Sequence, residues 1–363
     1  MRILFVFCLS ILAACADRID APILPEATQI GTPISIYVGT TRLKENGVYG
    51  IGRSPQLTFM NLTVSLPPNR EAGSISYGRA KPKPEKDFVL ASMEEFPSSK
   101  TFTGNLRRDL RKTSSNGGHE VTVYVHGFNN SFAEAAFRMA QLSHDLELEG
   151  PVVSYAWPSR GNALGYEYDA DSALFARDGL VQLLHAINRA GNNRIVLVGH
   201  SMGGRLVMET LRELELTRPG WAAKSMAGVL LISPDVNVDV FRSQTAKFTE
   251  WPQPFVIFSS RKDRFLRIAA ALRGEPKRLG NLDDVTEISD LPIAFIDVTA
   301  FDDGDIAHHF VAGSSGSFLQ LIKSSQDLDD AFLQGQTSAS ISVLGSGHHI
   351  GRSVTLRPQA EAR

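Results

Sequence analysis

The apolar positions change their period along the chain, and each change predicts a different element. Residues 3–14 form an almost unbroken apolar run behind Arg2. Residues 16–33 follow with Pro22, Pro25 and Pro33 and no period, which reads as an extended tether. A strand pattern begins at 34–38. Short β-like runs continue to about residue 112, broken by Pro67-Pro68 and Pro82-Lys83-Pro84, and predict a β-rich flank packed against a main sheet.

Beyond Gly117-Gly118 the pattern alternates between two periods. Val121-Thr122-Val123-Tyr124-Val125 is a β-branched strand ending at His126-Gly127. Ser131-Phe132-Ala133-Glu134 matches a capping box and opens a helix ending near 148. Strands are expected at 152–156, 195–198, 229–232, 255–258 and 292–298. Helices are expected at about 171–190, 202–215, 264–272 and 318–332. Strands alternating with helices mean an α/β fold: a mostly parallel central sheet with helices on both faces. Residues 331–363 end in a Ser- and Gly-rich stretch that reads as a loose tail.

Composition narrows this. The chain has 363 residues, enough for about two domains or one large α/β domain. With 43% hydrophobic residues it is not disordered. Lysine and arginine total 37 against 39 acidic residues, a net charge of −2, so no basic excess points to nucleic acid. There are two cysteines, Cys8 and Cys15.

Residues 1–14 have the length of a signal-peptide core, too short to span a bilayer. The sequence Leu12-Ala13-Ala14-Cys15 resembles the lipobox of bacterial lipoproteins. That resemblance implies cleavage before a lipidated Cys15 and a membrane anchor, since acyl chains bind at about 0.8 kcal/mol per buried methylene. Asp17 lies one place beyond the position of an inner-membrane retention signal, which favours the outer membrane within the cell envelope. The mature chain would then hold no internal disulfide and no cysteine-ligated metal. The expected layout is signal 1–14, tether 15–33, main domain 34–330 (flank 34–112, core 119–330) and tail 331–363.

The candidate chemistry centres on Gly199-His200-Ser201-Met202-Gly203. A bare G-x-S-x-G arises by chance in roughly one chain in eight of this length. Here it follows the apolar run 195–198 and precedes an amphipathic helix, the strand–turn–helix that aims a strained serine out of a sheet. The turn crowds strand against helix, which accounts for the flanking glycines. A phosphate loop would need a lysine that is absent. A serine nucleophile needs a base and an acid, which on such a sheet follow in the order Ser, Asp, His.

The base is sought among His308, His309, His348 and His349. The first pair follows the strand at 292–298 closely and the second lies in the tail, so His308 is the first candidate and His309 the alternate. Asp263, after the strand at 255–258, is the first candidate for the acid, although it also suits a helix N-cap. Asp235 in Ser233-Pro234-Asp235 is the alternate. The backbone amides of Met202 and Phe128 would form an oxyanion hole, with Phe128 in the loop His126-Gly127-Phe128. His126 reads as a structural hydrogen-bonder. Phe128, Trp157 and Tyr155 are expected to wall the acyl pocket.

Together these motifs resemble the α/β-hydrolases, and more narrowly a bacterial branch of the esterase/lipase superfamily catalogued as a domain of unknown function. The resemblance runs from about residue 34 to 321. It rests on Thr40-Thr41-Arg42, His126-Gly127-Phe128-Asn129, Trp157-Pro158-Ser159, Arg177-Asp178-Gly179, the 199–205 elbow, Ser233-Pro234-Asp235 and the 260–266 stretch around Asp263. Where the branch has Gly-His-Ser at its histidine, this chain has Ala307-His308-His309, which favours His308 and leaves a neighbouring competitor. The resemblance implies an ester-type hydrolase and leaves its substrate undefined; a small-molecule or lipid-like ester is expected as substrate, with no cofactor or metal. The same triad serves acyltransferases and amidases, and a non-catalytic scaffold on the fold is the further alternative.

Overall fold

The computed structural model describes residues 21–78, 81–113, 120–191, 194–273, 277–301, 309–324, 340–343 and 352–355. The expected signal segment, Cys8, Cys15, His308, His348 and His349 lie outside the described residues.

The chain opens with three long strands, β1 (Thr32–Glu45), β2 (Val48–Leu66) and β3 (Val89–Phe96), followed by helix α1 (Ser99–Thr113). Then come β4 (Glu120–Val125), α2 (Phe132–Asp145), β5 (Val152–Ala156), α3 (Tyr166–Ala190), β6 (Arg194–His200) and α4 (Met202–Thr217). They are followed by α5 (Trp221–Ser225), β7 (Met226–Ile232), α6 (Val238–Thr245), β8 (Phe255–Ser259) and α7 (Arg264–Arg273). The last elements are β9 (Ala294–Asp297), α8 (Val311–Ser314), α9 (Gly316–Ser324), β10 (Ser340–Val343) and β11 (Arg352–Thr355).

The eleven strands among the described residues form one sheet in the order β10-β11-β9-β8-β7-β6-β4-β5-β1-β2-β3. The stretch from β9 through β1 is parallel throughout. Every residue of β5 and β8 is buried, as a strand covered on both faces requires. Successive side chains of β4 go to opposite layers. Val121, Val123 and Val125 join the core beneath α1, α3 and α4, whereas Tyr124 joins the core beneath α2 and α9.

Three expectations are corrected. The N-terminal flank does not pack against the main sheet but continues it, since β1 pairs in parallel with β5 and antiparallel with β2. The flank also contains the helix α1. Its buried Phe102, Leu106 and Leu110 recur every four residues among charged ones, a stripe too narrow to stand out from the surrounding β-like runs. The expected loose tail supplies two strands, and β11 pairs in parallel with β9, so β9 is not the last strand.

Candidate active site

At the carboxyl end of β6 the chain turns through Ser201, whose φ of 54° and ψ of −120° lie in a region an L-residue avoids. Such a conformation costs about 1–3 kcal/mol and persists only where the surroundings fix it. Ser201 N donates to Ile232 O at 2.9 Å, and Ser201 O accepts from Gly204 N and Asp235 N at 2.9 and 3.1 Å. The glycines are required by contact: a Cβ on Gly203 would lie 2.3 Å from Val125 O, and one on Gly199 would lie 2.9 Å from Gly204 Cα. The Ser201 side chain is buried, and its Oγ has no hydrogen-bond partner among the described residues.

Asp263 follows β8 and is fully buried. Its two oxygens take two different donors: Oδ1 accepts from Leu266 N at 2.9 Å, capping α7, and Oδ2 meets His309 Nδ1 at 2.8 Å. Both roles considered for this residue therefore coexist in one carboxylate. The His309 ring is held between His200, with centroids 4.8 Å apart, and Phe265, at 4.6 Å. His200 precedes Ser201 directly, so this tilted ring contact brings the Asp263–His309 pair to the elbow. Burial drives the His200 pKa well below that of a free imidazole, and the nearby His309 adds to the effect. The ring beneath His309 is thus neutral at pH 7.

The loop after β4 lies against the serine. A Cβ on Gly127 would come 2.8 Å from His200 Nδ1 and 3.0 Å from Ser201 Cβ. Next in the chain, Phe128 packs on Phe265 and Tyr166, with centroids 5.3 and 5.5 Å away. Met202 N, the first amide of α4, has no carbonyl four residues back to bond within the helix. His126 stacks on Trp157 at 4.8 Å, and its ring nitrogens face Gly127 O and Trp157 O at 2.9 and 3.1 Å. Burial, reinforced by Arg42, pushes its pKa down to about 3.

A buried polar network fixes this loop from behind. Arg42, on β1, donates from Nη1 to Gly50 O and Ser159 O and from Nη2 to Asn130 O, at 3.0, 2.9 and 2.8 Å. Burial lowers its pKa to about 10, so it stays charged at neutral pH. Asp169, in the first turn of α3, accepts from Asn129 N, Ser159 Oγ and Arg160 N at 3.2, 2.5 and 2.6 Å. Its carboxyl is raised by burial against the opposite pull of these hydrogen bonds. Asn129 itself has φ of 60°. The network holds the turn after Gly127 in a conformation it would not adopt alone.

Several site expectations are revised. The histidine on Asp263 is His309, the alternate, while His308 lies outside the described residues. Asp235 is tied up elsewhere, accepting from the Tyr166 hydroxyl and lying 3.5 Å from Arg278 Nε. Neither Trp157 nor Tyr155 walls a pocket. Both are fully buried in the core; Trp157 Nε1 bonds His126 O at 2.7 Å and Tyr155 OH bonds Ala176 O at 2.6 Å. The aromatic groups beside Phe128 are instead Tyr166 and Phe265. Sequence reasoning missed these two, Asp169 and Arg278. Asp169 carries the one available signal, a carboxylate in the first turn of a helix, and that is more often a solvated end.

The sheet order, the elbow after β6 and the partners after β4 and β8 define an α/β-hydrolase fold. The chain belongs to the family described as alpha/beta hydrolase of unknown function (DUF900), whose model matches residues 98–325. No curated protein matches it. Among solved structures it is similar to a protein assigned as a YdeN-like hydrolase from Pectobacterium atrosepticum, at 14% identity, covering 60% of this chain and 98% of that one with a TM-score of 0.29. It is similar also to the phospholipase PlaB of Legionella pneumophila (13%, 48% and 43%, 0.27). A third likeness is to the cutinase of Trichoderma reesei in complex with a phosphonate inhibitor (11%, 62% and 90%, 0.26).

Proposed function

We propose that the protein is a serine hydrolase that cleaves carboxylic esters through an acyl-enzyme on Ser201. The observation that carries this reading is the contact of Asp263 Oδ2 with His309 Nδ1, made near a serine on a strained turn whose Oγ bonds no group among the described residues. Asp263 keeps the proton on Nδ1, which leaves Nε2 as the basic nitrogen. Nε2 takes the Ser201 proton as Oγ attacks the ester carbonyl. The carbonyl oxygen becomes an oxyanion received by the N–H groups of Met202 and Phe128, and the end of α4 adds its positive dipole. The imidazolium then protonates the leaving alkoxide, and the alcohol departs. Water, deprotonated by the same nitrogen, releases the acid and restores Oγ–H.

The test is labelling with an alkyl phosphonate alongside turnover of a short-to-long acyl ester series. Wild type is expected to be labelled at Ser201 and to turn over esters, and Ser201→Ala to do neither. Equal labelling of the two proteins would remove the serine from the mechanism. Absence of both label and turnover in wild type would leave a scaffold on a hydrolase fold.

We propose too that Cys15 carries lipid and tethers an exported enzyme to the cell envelope; the lipobox-like Leu12-Ala13-Ala14-Cys15 supports this. Cys15→Ser should move the protein from the membrane to the soluble fraction. Retention on the membrane would end the proposal.

A further inference from the structure

Beside the elbow lies a charged pair for which the proposed mechanism has no use. Asp235 and Arg278 are 1% and 3% exposed. Asp235 N donates to Ser201 O at 3.1 Å, and Asp235 Oδ2 accepts from the Tyr166 hydroxyl. Tyr166 in turn packs on Phe128 of the loop that faces the serine. Arg278 is carried by a segment that ties two loops together. Asn237 and Arg278 form a β-bridge, Leu279 N bonds Val236 O, Gly280 N bonds Pro234 O, and Gly280 O receives Ser260 N. The guanidinium is therefore fixed between the loop that touches Ser201 and the loop that carries Asp263.

The pair is poorly bonded for its burial. Asp235 Oδ1 and Arg278 Nε are 3.5 Å apart without hydrogen-bond geometry, and among the described residues no group bonds either of them or Arg278 Nη2. Nε and Nη2 lie on the same edge of the planar guanidinium, the edge that takes two oxygens side by side. A buried ion pair that served only the fold would close its own hydrogen bonds, because each buried N–H or lone pair left open is destabilising. Here two donors and one acceptor are buried together without partners among the described residues, on a pair whose aspartate bonds the Ser201 carbonyl through its backbone N–H.

We propose that Asp235 and Arg278 form a specificity subsite for a hydroxyl-bearing, uncharged part of the substrate; this rests on the ester-hydrolase reading of Ser201. A hydroxyl oxygen accepts from Nε or Nη2 while its proton goes to Asp235 Oδ1, so a single hydroxyl answers two of the three atoms and a vicinal diol can answer all three. A carboxylate or phosphate would satisfy the guanidinium edge but would set a second negative charge against Oδ1. A plain alkyl chain would leave all three unpaired. Sites built to bond a substrate hydroxyl discriminate strongly against the analogue that lacks it.

The experiment compares matched esters: methyl butyrate with glycerol monobutyrate on the alcohol side, and p-nitrophenyl butyrate with its 3-hydroxybutyrate on the acyl side. The p-nitrophenyl succinate monoester is the anionic control. Wild type should favour the hydroxyl-bearing member of one pair at least tenfold in kcat/KM. Arg278→Lys keeps the charge but lacks the two-donor edge, and Asp235→Asn keeps an acceptor for Tyr166; each should bring that ratio close to one. If a single variant does not fold, Asp235→Asn with Arg278→Gln, which leaves no lone charge, serves the same comparison. Equal rates for both members in wild type would overturn the subsite. So would a preference for the succinate ester, or variants that slow both members alike and keep the ratio. Those results leave the hydrolase reading standing, whereas absence of labelling at Ser201 together with absence of any turnover brings both down.

Discussion

Asp263→Asn separates the two tasks of one carboxylate. The aspartate, fully buried, offers one oxygen to Leu266 N at 2.9 Å and the other to His309 Nδ1 at 2.8 Å. Asparagine has one oxygen and one NH2 for these two donors, so one contact must change. The Leu266 peptide N–H cannot move its proton, whereas a neutral imidazole can shift its proton to Nε2. Loss of the cap costs about 0.5–2 kcal/mol, so the amide oxygen stays on Leu266 and the NH2 faces Nδ1. His309 then accepts at Nδ1, carries its proton on Nε2 and cannot take one from Ser201. Inversion of this tautomer lowers kcat about 10⁴-fold, equivalent to about 5 kcal/mol of transition-state stabilisation. The assay is kcat on p-nitrophenyl butyrate beside a thermal melt. The expected result is the large rate loss with a melting temperature within a few degrees of wild type. A rate within tenfold of wild type at an unchanged melting temperature would refute the assignment of Asp263. Asp263→Ala, which loses both contacts, should add the stability loss to the rate loss.

His309→Ala should lower kcat by several orders of magnitude while His308→Ala stays within a few-fold of wild type, and the reverse result would return the base to His308. Arg42→Met removes three charge-assisted hydrogen bonds to backbone carbonyls and should cost about 3–5 kcal/mol in urea unfolding; a loss under about 1 kcal/mol would mean the network holds without it. Acidification should destabilise the fold before most carboxylates titrate. His126 is free to protonate near pH 6.5 in the unfolded chain but only at about 3 when folded, so the unfolded state binds the extra proton between these values. Its share is about 2 kcal/mol lost between pH 6.5 and 5, with His200 acting in the same direction, and a flat unfolding free energy over that range would contradict the burial of neutral imidazoles.

The parallel core was legible because its strands are buried on both faces and read as short apolar runs, and the helices between them carry regular stripes. The elbow was legible because Gly199, Ser201 and Gly203 stand together in one short stretch between a strand and a helix, although the contacts that require Gly203 and fix Ser201 come from Val125, Ile232 and Asp235. Asp263 was found from its place after a strand. The histidine was harder, because His308 and His309 are adjacent and their order in the chain does not say which ring meets the carboxylate. The pocket walls failed for the opposite reason. Tyr155 lies near the end of β5 and Trp157 just after it, but side-chain direction sent one toward Ala176 and stacked the other on His126. Arg278 had no local signal at all; beside Lys277 it reads as a solvated basic pair, and only the bridge to Asn237 turns it inward.

The position of β1 has a practical consequence. The family match begins at residue 98, yet β1 and β2 continue the sheet beyond β5, and Thr40 Oγ1 bonds Ala156 O at 2.6 Å. The homology boundary and the folding boundary are therefore different lines through the same molecule. A protein trimmed to residues 98–325 would lose Arg42 and bare the whole edge of β5, an open template for strand-on-strand aggregation. Expression and crystallisation work should keep everything from residue 32 onward, and evolutionary comparisons confined to the matched segment will overlook a residue that shapes the loop after β4, beside the candidate site, from outside it.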